Sequence, residues 1–90
     1  SIIDFYPEEL EFYDKILRLT PEDKSIWLRK GQILDQKERN EEALFCYDRA
    51  LEIDANDKKL WSSRALSLGK LERYDEAAKS FQKGIELDDK

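Results

Sequence analysis

The sequence predicts an all-α protein of about five helices built on a repeated helix pair, and three observations carry that prediction. Apolar residues recur three and four positions apart, which lines them along one helix face. Glu, Lys, Arg, Leu and Ala are abundant, whereas only three Gly and two Pro interrupt the 90 residues, a balance that favours helix. Sliding the chain on itself by about 34 residues, one of the periods that mark repeat arrays, brings like residues together.

The opening helix is expected at about 7–19, with Pro7 in its first turn, where a missing N–H does no harm. A second helix at about 22–37 follows Thr20-Pro21-Glu22-Asp23, which offers a capping hydroxyl, a proline and acids for the first turn. Ile26, Trp27, Lys30, Gly31 and Leu34 share one face of it. The third, at about 41–53, opens on Asn40-Glu41-Glu42, with acids at its positive end. Its stripe is Ala43, Leu44, Tyr47, Ala50 and Leu51. Asp54-Ala55-Asn56-Asp57 introduces a fourth helix at about 56–70, striped by Leu60, Trp61, Ala65 and Leu68. The fifth, at about 75–88, follows Tyr74-Asp75-Glu76 and carries Ala77, Ala78, Phe81 and Ile85.

The register is consistent along the chain. Trp27 falls on Trp61, Leu34 on Leu68, Glu38 on Glu72 and Arg39 on Arg73. Glu42-Ala43 meets Glu76-Ala77, Tyr47 meets Phe81, and the small residues Gly31 and Ala50 meet Ala65 and Gly84. Shifted backwards, Tyr13 joins Tyr47 and Phe81, and Tyr6 takes the place of Asn40 and Tyr74. The units read as 24–57 and 58–90 after a half unit at 6–23, with both ends expected to be cuts within a longer array.

These residues resemble the tetratricopeptide repeat, whose pattern runs Trp, Leu-Gly, a large residue, Ala, an aromatic, Ala and Pro. One unit supplies Trp27, Gly31, Leu34, Ala43, Tyr47 and Ala50. The next supplies Trp61, Ala65, Leu68, Tyr74, Ala77, Phe81 and Gly84, and the opening helix supplies Tyr6, Tyr13, Ile16 and Pro21. Ala55 and Asp89 replace the closing proline, Lys30 replaces leucine and Asn40 an aromatic. Gly84 replaces alanine, at a helix cost of about 1 kcal/mol that leaves the last helix loose unless something packs on it. The resemblance implies antiparallel helix pairs stacked into a right-handed α-α superhelix. Gly31 against Ala43, and Ala65 against Ala77, are expected to let paired helices approach closely, with Trp27 and Trp61 filling space toward the neighbouring unit.

The resemblance also implies a concave face, lined by the first helix of each pair, that holds an extended or helical peptide. Its residues here are Ser25, Leu28, Arg29, Gln32 and Gln36, then Lys59, Ser62, Ser63, Leu66 and Lys70. Arg29, Lys59 and Lys70 suit an acidic partner. The clamp by which some family members hold a terminal carboxylate is not carried over, because Leu28, Gln32 and Ser63 stand at its Lys and Asn positions. Ala78, Phe81 and Ile85 are expected to lie bare on the last helix, which makes self-association through open ends the alternative to groove binding.

Charged residues make up 41% of the chain and hydrophobic residues 40%, yet two Trp, four Tyr and four Phe, most in register, indicate a folded core. The net charge is -5 and acids alternate with bases, which predicts i,i+4 pairs on solvated faces. A nucleic-acid binder carries a basic stripe; its absence excludes that class and disfavours an anionic membrane surface. No apolar run approaches the roughly 18 residues of a span, and residues 1–5 lack the basic leader of a signal peptide. Cys46 is the single cysteine, so no internal disulfide forms and a reducing compartment, the cytoplasm, is expected. With no histidine in the chain, Cys46 has no base and reads as a partly buried helix thiol. Asp54-x-Asn56-Asp57 lacks the glycine and distal glutamate of a calcium loop, and there is no Gly-rich phosphate loop. No catalytic residue, metal or cofactor is expected, and the partner is a protein or peptide.

Overall fold

The computed structural model describes residues 6–88; the leader reading of residues 1–5 and the departure at Asp89 lie outside them. Five helices follow in order: α1 (Glu8–Leu19), α2 (Lys24–Gln36), α3 (Asn40–Ile53), α4 (Lys58–Lys70) and α5 (Tyr74–Asp88). α2 pairs with α3 and α4 with α5, while α4 packs on α3 and α1 leans on α2. The backbone is only 14 Å deep in its shortest direction, which at about 8–10 Å between packed axes holds two helical layers.

The helix starts differ from the sequence reading for a local reason. Thr20 closes α1, its Oγ1 donating to the Ile16 carbonyl at 2.9 Å, and Pro21 and Glu22 form the turn. The cap of α2 is Asp23, whose Oδ1 accepts from the Ile26 N–H at 3.2 Å. Asp57 does the same for α4, accepting from the Lys59 N–H at 3.0 Å. An aspartate beside the first free N–H groups satisfies them better than a hydroxyl three residues upstream. Pro7 likewise stands before α1 as its N-cap and not within the first turn.

Both hairpins turn through the same hydrogen-bonded loop. The Arg39 N–H reaches the Leu34 carbonyl at 2.9 Å and the Glu38 N–H reaches Asp35 at 3.0 Å, a Schellman closure. Arg73 and Glu72 repeat it on Leu68 and Gly69. Glu38 and Glu72 therefore adopt φ of 62° and 61°, the left-handed region in which glycine is usual.

Three buried clusters run through the molecule. Leu10, Leu34, Ala43, Cys46 and Tyr47 form the first; Ala50, Leu51 and Leu60 the second, beneath Trp27 and Trp61; Leu44, Leu68 and Ala77 the third. Each indole keeps its N–H satisfied, Trp27 on the Pro21 carbonyl at 2.9 Å and Trp61 on the Ala55 carbonyl at 2.8 Å. The nearest atoms to the space above Gly31 belong to the Tyr47 ring, not to Ala43. Gly84 is buried against Trp61, so the last helix is packed where the sequence suggested looseness. The expected i,i+4 ion pairs are not formed among the described residues. Helix pairs close at i,i+3 (Arg39–Glu42, Arg49–Glu52, Arg73–Glu76), and others join elements, as in Lys30–Asp14 at 2.8 Å and Arg64–Asp48 at 2.7 Å.

Candidate functional site

An open cleft of about 460 Å³ lies between α2 and α4. Gln32, Asp35 and Gln36 form one wall, Ser63, Leu66 and Lys70 the other, and the buried Tyr47 of α3 closes the floor. Spacings of three and four put each wall on a single helix face. Half of the residues expected from the sequence line it: Gln32, Gln36, Ser63, Leu66 and Lys70. Ser25, Arg29 and Lys59 lie outside it. Leu28 is half-buried against the first two core clusters, and the Ser62 hydroxyl turns back to the Lys59 carbonyl at 3.1 Å.

Asp35 is the feature that the sequence reading missed. Its Oδ2 accepts from the Tyr47 hydroxyl at 2.8 Å and the Ser67 hydroxyl at 2.6 Å, and its Oδ1 accepts from the Asn40 amide at 2.7 Å. One carboxylate thus joins α2, α3 and α4 at the cleft floor. Burial, reinforced by the bond to Asp35, pushes the Tyr47 hydroxyl well above its ordinary pKa, so it stays a proton donor. A signal did exist: in the second pair Gly69, Tyr74 and Phe81 stand at the positions of Asp35, Asn40 and Tyr47.

Cys46 is fully enclosed rather than partly buried, and burial pushes its thiol up to about 11. Such a group is protonated at neutral pH and inert as a nucleophile. Among the described residues no three His, Cys, Asp or Glu side chains gather as metal ligands. None of their helices is long and apolar enough to cross a membrane.

Ala78, Phe81 and Ile85 lie exposed along α5, joined by Tyr74. Their counterparts on α3 are Leu44, Tyr47, Leu51 and Asn40. Leu44 packs against Leu68 of α4 and Leu51 against Leu60, so on α3 this face is covered by the next helix.

Models of the tetratricopeptide repeat match residues 25–57 and residues 58–90. The chain belongs to the tetratricopeptide repeat family. It is also similar to solved structures of MamA. MamA MSR-1 superposes on 89% of this chain with a TM-score of 0.85 at 28% identity. For MamA AMB-1 the values are 89%, 0.84 and 29% in one crystal form, and 87%, 0.83 and 28% in another. The chain spans 46%, 44% and 46% of those three chains. No match was found among curated proteins. Family and likeness together support a protein-interaction scaffold. In tetratricopeptide terms the cleft lies between the first helices of the two matched repeats, and Ser67 ties the second repeat to Asp35 of the first.

Proposed function

We propose that this tetratricopeptide chain holds an extended or helical segment of a partner protein in the α2–α4 cleft. The observation that carries the reading is a concave space whose wall presents Leu66 59% exposed, among the hydrogen-bonding side chains of Gln32, Gln36 and Ser63. α2 and α4 are each 13 residues long, about 20 Å, enough for roughly six residues of extended chain. An apolar anchor flanked by amide and hydroxyl groups suits a peptide better than a small charged ligand. The reading includes a non-catalytic role, consistent with the protonated Cys46 and the lack of histidine. A cytoplasmic location belongs to the same reading, on the strength of the single cysteine.

A peptide selected from a displayed library tests it. Leu66→Glu should abolish binding with helix content intact, and Phe12→Glu, an exposed residue of α1 outside the cleft, should leave it unchanged. Equal binding by Leu66→Glu and the parent would remove the cleft from the mechanism.

A second reading rests on α5. Phe81 and Ile85 are 42% and 56% exposed, whereas their counterparts Tyr47 and Leu51 are 1% and 8% exposed beneath α4. This supports self-association in which another copy covers the stripe. Light scattering over a concentration series should then show a growing mass that Phe81→Glu abolishes; a constant monomer mass rejects this version.

A further inference from the structure

We propose that Asp35 makes the α2–α4 cleft selective for a basic side chain, an arginine or lysine of the docked segment, an assignment that rests on the cleft reading above. The carboxylate is positioned but not neutralised. Tyr47, Ser67 and Asn40 hold it with three hydrogen bonds, all from neutral donors. Asp14, Asp48, Asp54, Asp57 and Asp88 each meet a Lys or Arg, whereas no such partner reaches Asp35 among the described residues. A carboxylate offers about four lone-pair directions, so the network leaves one open on Oδ1, and no cation of the described residues contacts the charge.

Location converts that charge into selectivity. Asp35 lines an open cleft, so a guanidinium or ammonium group can enter without first being sealed from water. It would add a charge-assisted hydrogen bond at the vacant direction. Leu66 stands across the cleft to receive the aliphatic stem or an apolar neighbour of the basic residue. Lys70 lines the same cleft and works against an incoming cation, which places the preference at Asp35 and not in the general charge of the wall.

The arrangement also stands apart from the repeat. Gly69 occupies the Asp35 position in the second pair, and no atom beyond its own stretch of helix lies within 4 Å of where its Cβ would be. α4 and α5 pack against each other without such a network, so pairing two helices does not require it.

Two peptides decide the matter, acetyl-Gly-Arg-Leu-Gly-amide and acetyl-Gly-Gln-Leu-Gly-amide, titrated into the full 90-residue chain while amide NMR shifts are followed. The arginine peptide should shift Gln32, Ser63 and Leu66 and bind about tenfold more tightly than the glutamine peptide. Asp35→Asn should erase that difference, and Lys70→Ala should enlarge it. If Asp35→Asn unfolds, as its urea midpoint will reveal, the parent's discrimination between the peptides still decides. Equal binding of both peptides in the cleft overturns the basic preference and leaves the cleft reading standing. Shifts confined to other surfaces, or none from either peptide, overturn the preference; if Leu66→Glu also leaves a selected partner bound, the cleft reading falls with it.

Discussion

Gly31→Ala is the substitution for which the structure gives the sharpest expectation. A Cβ built on Gly31 would lie 2.5 Å from Cε1 and 2.9 Å from Cδ1 of Tyr47. Ordinary carbon contacts sit at about 3.5–4.0 Å, so something must retreat by about 1 Å. The ring is poorly placed to do so, being fully buried with its hydroxyl tied to Asp35. Relaxation must therefore push α2 away from α3 or break the bond to Asp35. Overpacking of this kind costs about 1–3 kcal/mol, while replacing a helical glycine by alanine returns about 1 kcal/mol. The balance is a loss of up to roughly 2 kcal/mol, at about 4–8 °C of melting temperature per kcal/mol for a chain this size. Urea and thermal unfolding followed by circular dichroism measure it. The same substitution in a Tyr47→Leu background should be neutral or stabilising, because the ring is gone, and the double-mutant cycle isolates the clash. A Gly31→Ala protein more stable than the parent by the full helix gain of about 1 kcal/mol would refute the idea that α2 and α3 are held rigidly at this crossing.

Other perturbations follow from the same geometry. Glu38→Gly and Glu72→Gly should each stabilise by about 1 kcal/mol in urea titrations, since both glutamates sit in the left-handed region. Gly84→Ala should gain about 1 kcal/mol as well, because its Cβ would lie 3.6 Å from Trp61 Cβ, an ordinary contact. Burial pushes the folded Cys46 thiol up to about 11, from an ordinary 9.0. Its contribution to stability is therefore complete below pH 9 and lost as pH rises toward about 11. Melting temperatures across that range should fall, and Ellman's reagent at neutral pH should label Cys46 only on unfolding. On the acid side, the Lys24 ammonium holds the Asp54 carboxyl below its ordinary 3.8. That contribution is present above this value and vanishes as pH falls, so Lys24→Ala should flatten the acid limb of the melting profile.

The helices and their pairing were legible because period and register report burial directly: a residue facing the core in one unit faces it in the next. Helix ends were less so. Asp23 and Asp57 start α2 and α4 later than the upstream turn residues suggested, since the caps are made by whichever side chain lies beside the free N–H groups. The turns at Glu38 and Glu72 carry no glycine to announce them, and α3 and α5 begin one residue before the expected place. In the cleft, Leu28 was assigned to the surface although a helix face between wall and core divides its residues by fractions of a turn. Asp35 escaped because repeat matching rewards agreement, and its counterpart is Gly69. Chemistry peculiar to one unit resides in such mismatches.

The two indoles have a consequence for observation. Trp27 lies edge-on to Phe45 at 6.2 Å, with the Lys30 and Arg49 cations 5.7 Å and 5.6 Å from its ring. Trp61 has Arg64 at 6.0 Å and the bare backbone of Gly84 beside its Cβ. The chain thus contains two tryptophan fluorophores, one reporting the α2–α3 hairpin and the other the seating of α5. Replacing either by Phe leaves a single source of tryptophan emission. If repeats unfold one after another, as quasi-one-dimensional arrays permit, the two emitters will give separate denaturation midpoints; coincident curves will mark a single cooperative unit.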